Sequence, residues 1–185
     1  VQVFEAKDLD MISDAEGITG LISEITIRVQ PDEAMDLVSI GCPNPHDLQK
    51  MMEAMHKENL PIWSLVFINP RMAEMKNQAP LMEHMGHPAE ERVLLPASYI
   101  TTLTFRTKDR EKVMDGLNRI VKLCGAEILS DKIAHHEWKH RFKLMVVKRL
   151  GPSLVPAEVV IPLSSFGDFM TKVEKTIRQP VVKEG

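Results

Sequence analysis

The stretch that most constrains the fold runs from residue 99 to residue 129. YITTLTFRT (99–107) alternates and is rich in β-branched residues, so it reads as a strand. Residues 109–124 follow with Val113, Met114, Leu117, Ile120, Val121 and Cys124 on one helical stripe, and Gly125 supplies the stop. Residues 126–129 read as a short returning strand. Neither the strand nor the stripe can bury its apolar side alone, so the unit requires a sheet layered against helices. The same alternation recurs upstream. DLVSIGC (36–42) reads as a strand, and Asn44 or His46 opens a helix bearing Leu48, Met51, Met52 and Met55. PIWSLVFIN (61–69) reads as a buried strand. Residues 71–87 are weakly periodic and read as a broken helix or long loop. The expected fold is α+β, a ferredoxin-like antiparallel sheet with helices on one face and some extra helices. LISEITIRV (21–29) reads as an N-terminal strand stopped by Pro31. A long helix through the 135–143 segment to about residue 150 is expected before Gly151-Pro152, then a strand at 157–162 and a helix capped by Ser164.

Composition narrows the class. With 44% hydrophobic and 26% charged residues among 185, the chain is ordinary for a globular protein. Its net charge of −3 gives no reason to expect nucleic acid as a partner. No apolar run is long enough to span a bilayer. Two widely separated cysteines, Cys42 and Cys124, fit reduced thiols and a cytoplasmic setting. The opening VQVFEAKD and the closing VVKEG read as the ends of a piece excised from a longer polypeptide.

One motif invites a metal. His136-Glu137-Trp138-Lys139-His140 fits H-E-x-x-H, in which two His on one helix face share zinc and Glu activates water. The continuation fails: Lys143 and Val146 stand where a metzincin would carry Gly and a third His. Lys139, Arg141 and Lys143 also surround the ligands with positive charge. No metal site is therefore expected here, and the segment reads as a solvated helix face.

The residues 14–31, DAEGITGLISEITIRVQP, carry a likeness of another kind. They resemble the G-S-E-G-T-L-G-I-I-T-E-V-T-L-R-L-R-P stretch that closes the flavin domain of FAD-linked oxidases of the vanillyl-alcohol oxidase superfamily, in its glycolate oxidase D-subunit and D-lactate dehydrogenase branch. Glu16, Gly17, Gly20, Glu24, Thr26, Arg28 and Pro31 match in register. Downstream, Trp138 and Arg141 give the family's W-x-x-R, and VVIPLSSFGDFMTKVEK (159–175) resembles its V-P-L-S-x-L-x-E-F-L segment. The resemblance implies a flavin-domain remnant at 1–31, a cap or substrate domain at 32–178 and a tail at 179–185. It implies backbone contacts to FAD from Gly17, Ile18, Gly20 and Leu21. It also implies a substrate site in which Arg141, braced by Trp138, grips a small-molecule carboxylate. Met145 and Pro156 stand where the hydroxy-acid dehydrogenases carry Thr and Lys, and Glu158 where an Asp is frequent, which points to a monocarboxylate with a hydrophobic tail. The partner implied is the rest of the flavin domain from the same polypeptide, without which this chain should be inactive. The rival readings are a non-catalytic ferredoxin-like ligand-binding or interaction domain and, more remotely, a zinc hydrolase.

Overall fold

The computed structural model describes residues 3–11, 13, 17–81, 91–151 and 158–177. The chain divides into two units, residues 1–32 and 33–185.

In the first unit a 3₁₀ turn spans Ala6–Met11, and described residues 20–32 form no regular structure. The strand expected at 21–29 does not form. Its alternation is real, but a strand exists only through a ladder, and this segment pairs with no described strand. Its apolar side chains stay in solvent, Leu21 at 97% and Ile27 at 71% exposure.

The second unit is built on four strands. β1 (Met35–Cys42), β2 (Ile62–Ile68), β3 (Tyr99–Arg106) and β4 (Glu127–Ile128) pair in the order β2-β3-β1-β4, every pair antiparallel. Two strand–helix–strand crossovers generate this order. α1 (Pro45–Lys57) joins β1 to β2, and α3 (Arg110–Leu123) joins β3 to β4. This is the α+β, ferredoxin-like arrangement the sequence predicts. α2 (Pro70–Gln78) lies between β2 and β3, α4 (Asp131–His140) follows β4, and α5 (Phe166–Ile177) closes the described chain.

Helix starts follow from local chemistry. Asn44 and Asn69 each accept a backbone N–H three residues on, at 2.9 and 2.8 Å, and each precedes a Pro at the first helical position. The second Asn-Pro pair therefore opens a helix in the segment read as broken helix or loop; residues 82–90 lie outside the described part.

The helices do not share one face, which corrects the expectation. Val38, Ile40, Cys42, Leu103 and Phe105 pack against Leu48 and Met51 of α1, Leu117 and Ile120 of α3, and Phe166 and Met170 of α5. The opposite side carries a second, smaller core of Ile68, Ala73 and Ile100, with Met72 from α2 and Ile133 from α4. Covering both sides buries β3 almost completely and explains why neither alternate set, Tyr99, Thr101, Leu103 and Phe105 or Ile100, Thr102 and Thr104, carries a charge before Arg106.

Two further expectations fall. α4 ends at His140, and a 3₁₀ segment, Leu144–Leu150, replaces the long helix. The Trp138 carbonyl, which a continuing helix would bond to residue 142, accepts instead from the backbone N and the Nη1 of Arg141. Residues 158–162 form no strand, pair with no described strand and leave Val160 wholly exposed. Residue 157 lies outside the described part, and the helix after Ser164 starts at Phe166 behind a 3₁₀ turn, Leu163–Ser165.

Candidate functional site

α4 presents the H-E-x-x-H segment to the second sheet face, so it is not a solvated helix face. Ala134 and Glu137 are buried. Lys76, projecting from α2, sets its ammonium 2.6 Å from both Glu137 carboxylate oxygens, and both side chains are over nine-tenths buried. His136 donates from Nδ1 to the same carboxylate at 2.9 Å. Burial alone would raise the Glu137 carboxyl, but the His136 hydrogen bond and the Lys76 charge outweigh it. The group sits below its ordinary range and remains ionised.

That arrangement uses Glu137 as the counter-ion of a buried ammonium rather than as a base over a metal-bound water. His140 turns its Nδ1 to the His136 carbonyl at 2.8 Å, and the two imidazoles stack with centroids 4.4 Å apart. Among the described residues no three His, Cys, Asp or Glu side chains gather as a metal-binding group.

Beside this pair lies a cleft of about 60 Å³. Its floor is Val66, Ile68, Ile100 and Thr102 from the sheet, and its wall is Lys76, Glu137, Trp138, His140 and Arg141. Thr102 is fixed by a 2.7 Å hydrogen bond with Ser39 across the β1–β3 ladder. The two predicted substrate residues thus meet at one place. Arg141 lays its guanidinium 3.8 Å from the Trp138 ring centre and 4.5 Å from that of Phe142. Its only described hydrogen bond runs from Nη1 to the Trp138 carbonyl at 2.7 Å, and no described carboxylate meets it. Trp63, at a register shift of β2, meets Trp138 edge-on with ring centres 6.4 Å apart.

Sequence reasoning missed Lys76, Trp63 and Phe142. Lys76 had a signal, the Asn69-Pro70 start that puts it on a helix; Trp63 and Phe142 had none, since only the fold brings them to Trp138.

The predicted FAD-binding residues belong to the other unit. Gly17 and Gly20 have φ of 80° and 154°, values that favour glycine, and a Cβ at either would meet nothing within 4 Å. Ile18 and Leu21 point into solvent at 88% and 97% exposure. This backbone is open to close approach by a ligand from outside.

A larger cleft of about 460 Å³ lies elsewhere, at the start of α2. Its polar groups are mostly committed: Asn69 caps the helix, Asn77 grips both backbone atoms of Leu95, and Glu174 accepts from the Tyr99 hydroxyl. Arg71, Glu74 and Glu174 also line it, so its charges are mixed, with two carboxylates against one cation, where the Arg141 cleft sets two cations against one carboxylate.

No protein-family model matches the sequence, and no curated protein is significantly similar to it.

Proposed function

We propose that this chain is the substrate-covering part of a longer FAD-linked oxidoreductase acting on a small carboxylate. The observation that carries the reading is Arg141. It is a cation with no described acid partner, held in place by two aromatic rings at a cleft whose single carboxylate is already neutralised by Lys76. A planar guanidinium of this kind suits a planar carboxylate better than any other side chain.

The exposed first unit supports the flavin half of the reading. Residues 21–29 alternate as a strand would but stay unpaired, which fits a strand whose sheet belongs to another part of the polypeptide. Gly17, Ile18, Gly20 and Leu21 would meet FAD through their backbone, and their open surroundings fit that role. FAD, when bound, supplies the capacity to take a hydride from an alcohol carbon. The residues of this chain would hold and orient the substrate.

The test uses the longer polypeptide. Arg141→Met should lower kcat/KM by about 10²-fold, and Arg141→Lys should recover only part, since an ammonium cannot reproduce the fork. A kcat/KM within about twofold of wild type would overturn the assignment. The isolated chain should be colourless, and stoichiometric flavin in it would show that the missing contacts are not needed.

A further inference from the structure

We infer that the ligand of the Arg141 cleft is an aryl carboxylate, one in which an aromatic ring lies within a few bonds of the carboxyl group. This rests on the carboxylate reading above and deepens it by naming the substrate class.

Size comes first. The cleft is small, about 60 Å³, against the roughly 300–1,000 Å³ of pockets that enclose a drug-sized ligand. It admits a carboxylate head and little more, so the body of any larger ligand must lie outside, on the rim. Charge comes second. Two cations, Lys76 and Arg141, face one carboxylate, Glu137, so the wall is net positive. An anionic head is favoured, and a neutral or cationic head is not.

The rim then selects the body. Trp63 and Phe142 are 64% and 84% exposed, although most exposed apolar residues of this chain are aliphatic. Neither ring lines the cleft itself, but each touches a residue that does: Trp63 meets Trp138 edge-on, and Phe142 lies beneath the Arg141 guanidinium. A ring attached near the carboxylate would meet these aromatic surfaces in the offset or edge-on geometries that aromatic pairs prefer. An aliphatic tail would gain only area.

Trp63 and Trp138 are the only two tryptophans in the chain, so its tryptophan fluorescence, excited selectively over Tyr99, reports on this site alone. The experiment titrates the full chain with phenylacetate, acetate and the neutral isostere phenylacetamide. Phenylacetate should saturate the signal with a Kd at least about tenfold below that of either control. Arg141→Gln should weaken phenylacetate by about tenfold or more and leave phenylacetamide unchanged. Trp63→Leu, read through Trp138, should weaken phenylacetate by about two- to tenfold and leave acetate unchanged. Circular dichroism identifies any variant that has lost the fold, and the wild-type ligand series stands without the variants. Equal binding of acetate and phenylacetate, both weakened in Arg141→Gln, would keep the carboxylate site and overturn the aryl class. No saturable response to either carboxylate would overturn both. Aryl-carboxylate binding in a longer polypeptide that carries no flavin would uphold this inference and overturn the oxidoreductase reading.

Discussion

The two faces of the sheet are built from the same strands and do different work. On one face β1 and β3 contribute Val38, Ile40, Cys42, Leu103 and Phe105, and three helices cover them with aliphatic and aromatic side chains. On the other face the same strands contribute Ser39, Thr102 and Thr104, and two helices cover them with a buried ion pair, two imidazoles and an aromatic-braced guanidinium. The apolar face gains stability from removing area from water. The polar face must offset the desolvation of its charges before it contributes anything. A fold of this size can hold such a face because the opposite one supplies the larger core, and Ile68, Ala73, Leu95 and Ile100 give this one only a small apolar cluster.

The largest effects should come from the apolar face. Leu117→Ala, at a wholly buried position on α3, should cost about 4 kcal/mol, read as a shift in denaturant midpoint at constant slope. A cost well under 1 kcal/mol would mean that α3 does not anchor this core. The polar face is next. Lys76→Met leaves Glu137 buried with His136 alone and should cost about 3 kcal/mol. Lys76→Met combined with Glu137→Leu should recover most of that loss, because no buried charge remains. Failure to recover would mean that the pair contributes net stability, contrary to the contrast drawn above.

Acid should separate the faces further. The Glu137 carboxyl is depressed, so its contribution is present above the ordinary carboxylate pKa and lost as pH falls through the folded value. Glu33 and Asp36 are also depressed, through Lys108 and Arg110 respectively, but these pairs sit near solvent and weaken with salt. In high salt, unfolding between about pH 5 and 3 should therefore be flatter in Glu137→Gln than in wild type. Identical slopes would assign the acid loss to other groups. The smallest effect is stabilising. Thr104 buries a hydroxyl without a hydrogen-bond partner, so Thr104→Val should add about 1 kcal/mol to the unfolding free energy.

The sequence carried the elements that satisfy themselves locally or pair within the chain. β1, β3 and α3 stand close to their predicted places because alternation, a clean stripe and a glycine stop all agree. Residues 21–29 and 158–162 have strand-like patterns but pair with no described strand, and a pattern cannot report whether a partner exists. Trp138 and Arg141 meet at one cleft as their spacing implied, while the third and fourth contributors came from β2 and α2. Glu137 was misread for a related reason. The residue that neutralises it, Lys76, lies far away in sequence on a helix that periodicity alone did not reveal.

The strand order has a consequence for how the chain first acquires its shape. β1 and β2 are the first two strands of this sheet to be made, yet they are not neighbours in it; each waits for β3, whose first residue, Tyr99, pairs with Cys42. During vectorial synthesis at ~5–20 residues per second, β1 and then β2 emerge without a ladder partner for a time on the order of seconds. IWSLVFI of β2 carries no charge and no proline in that interval, the composition that most readily recruits another nascent strand. Expression yield should thus hinge on temperature and elongation rate more than on the equilibrium stability of the finished sheet.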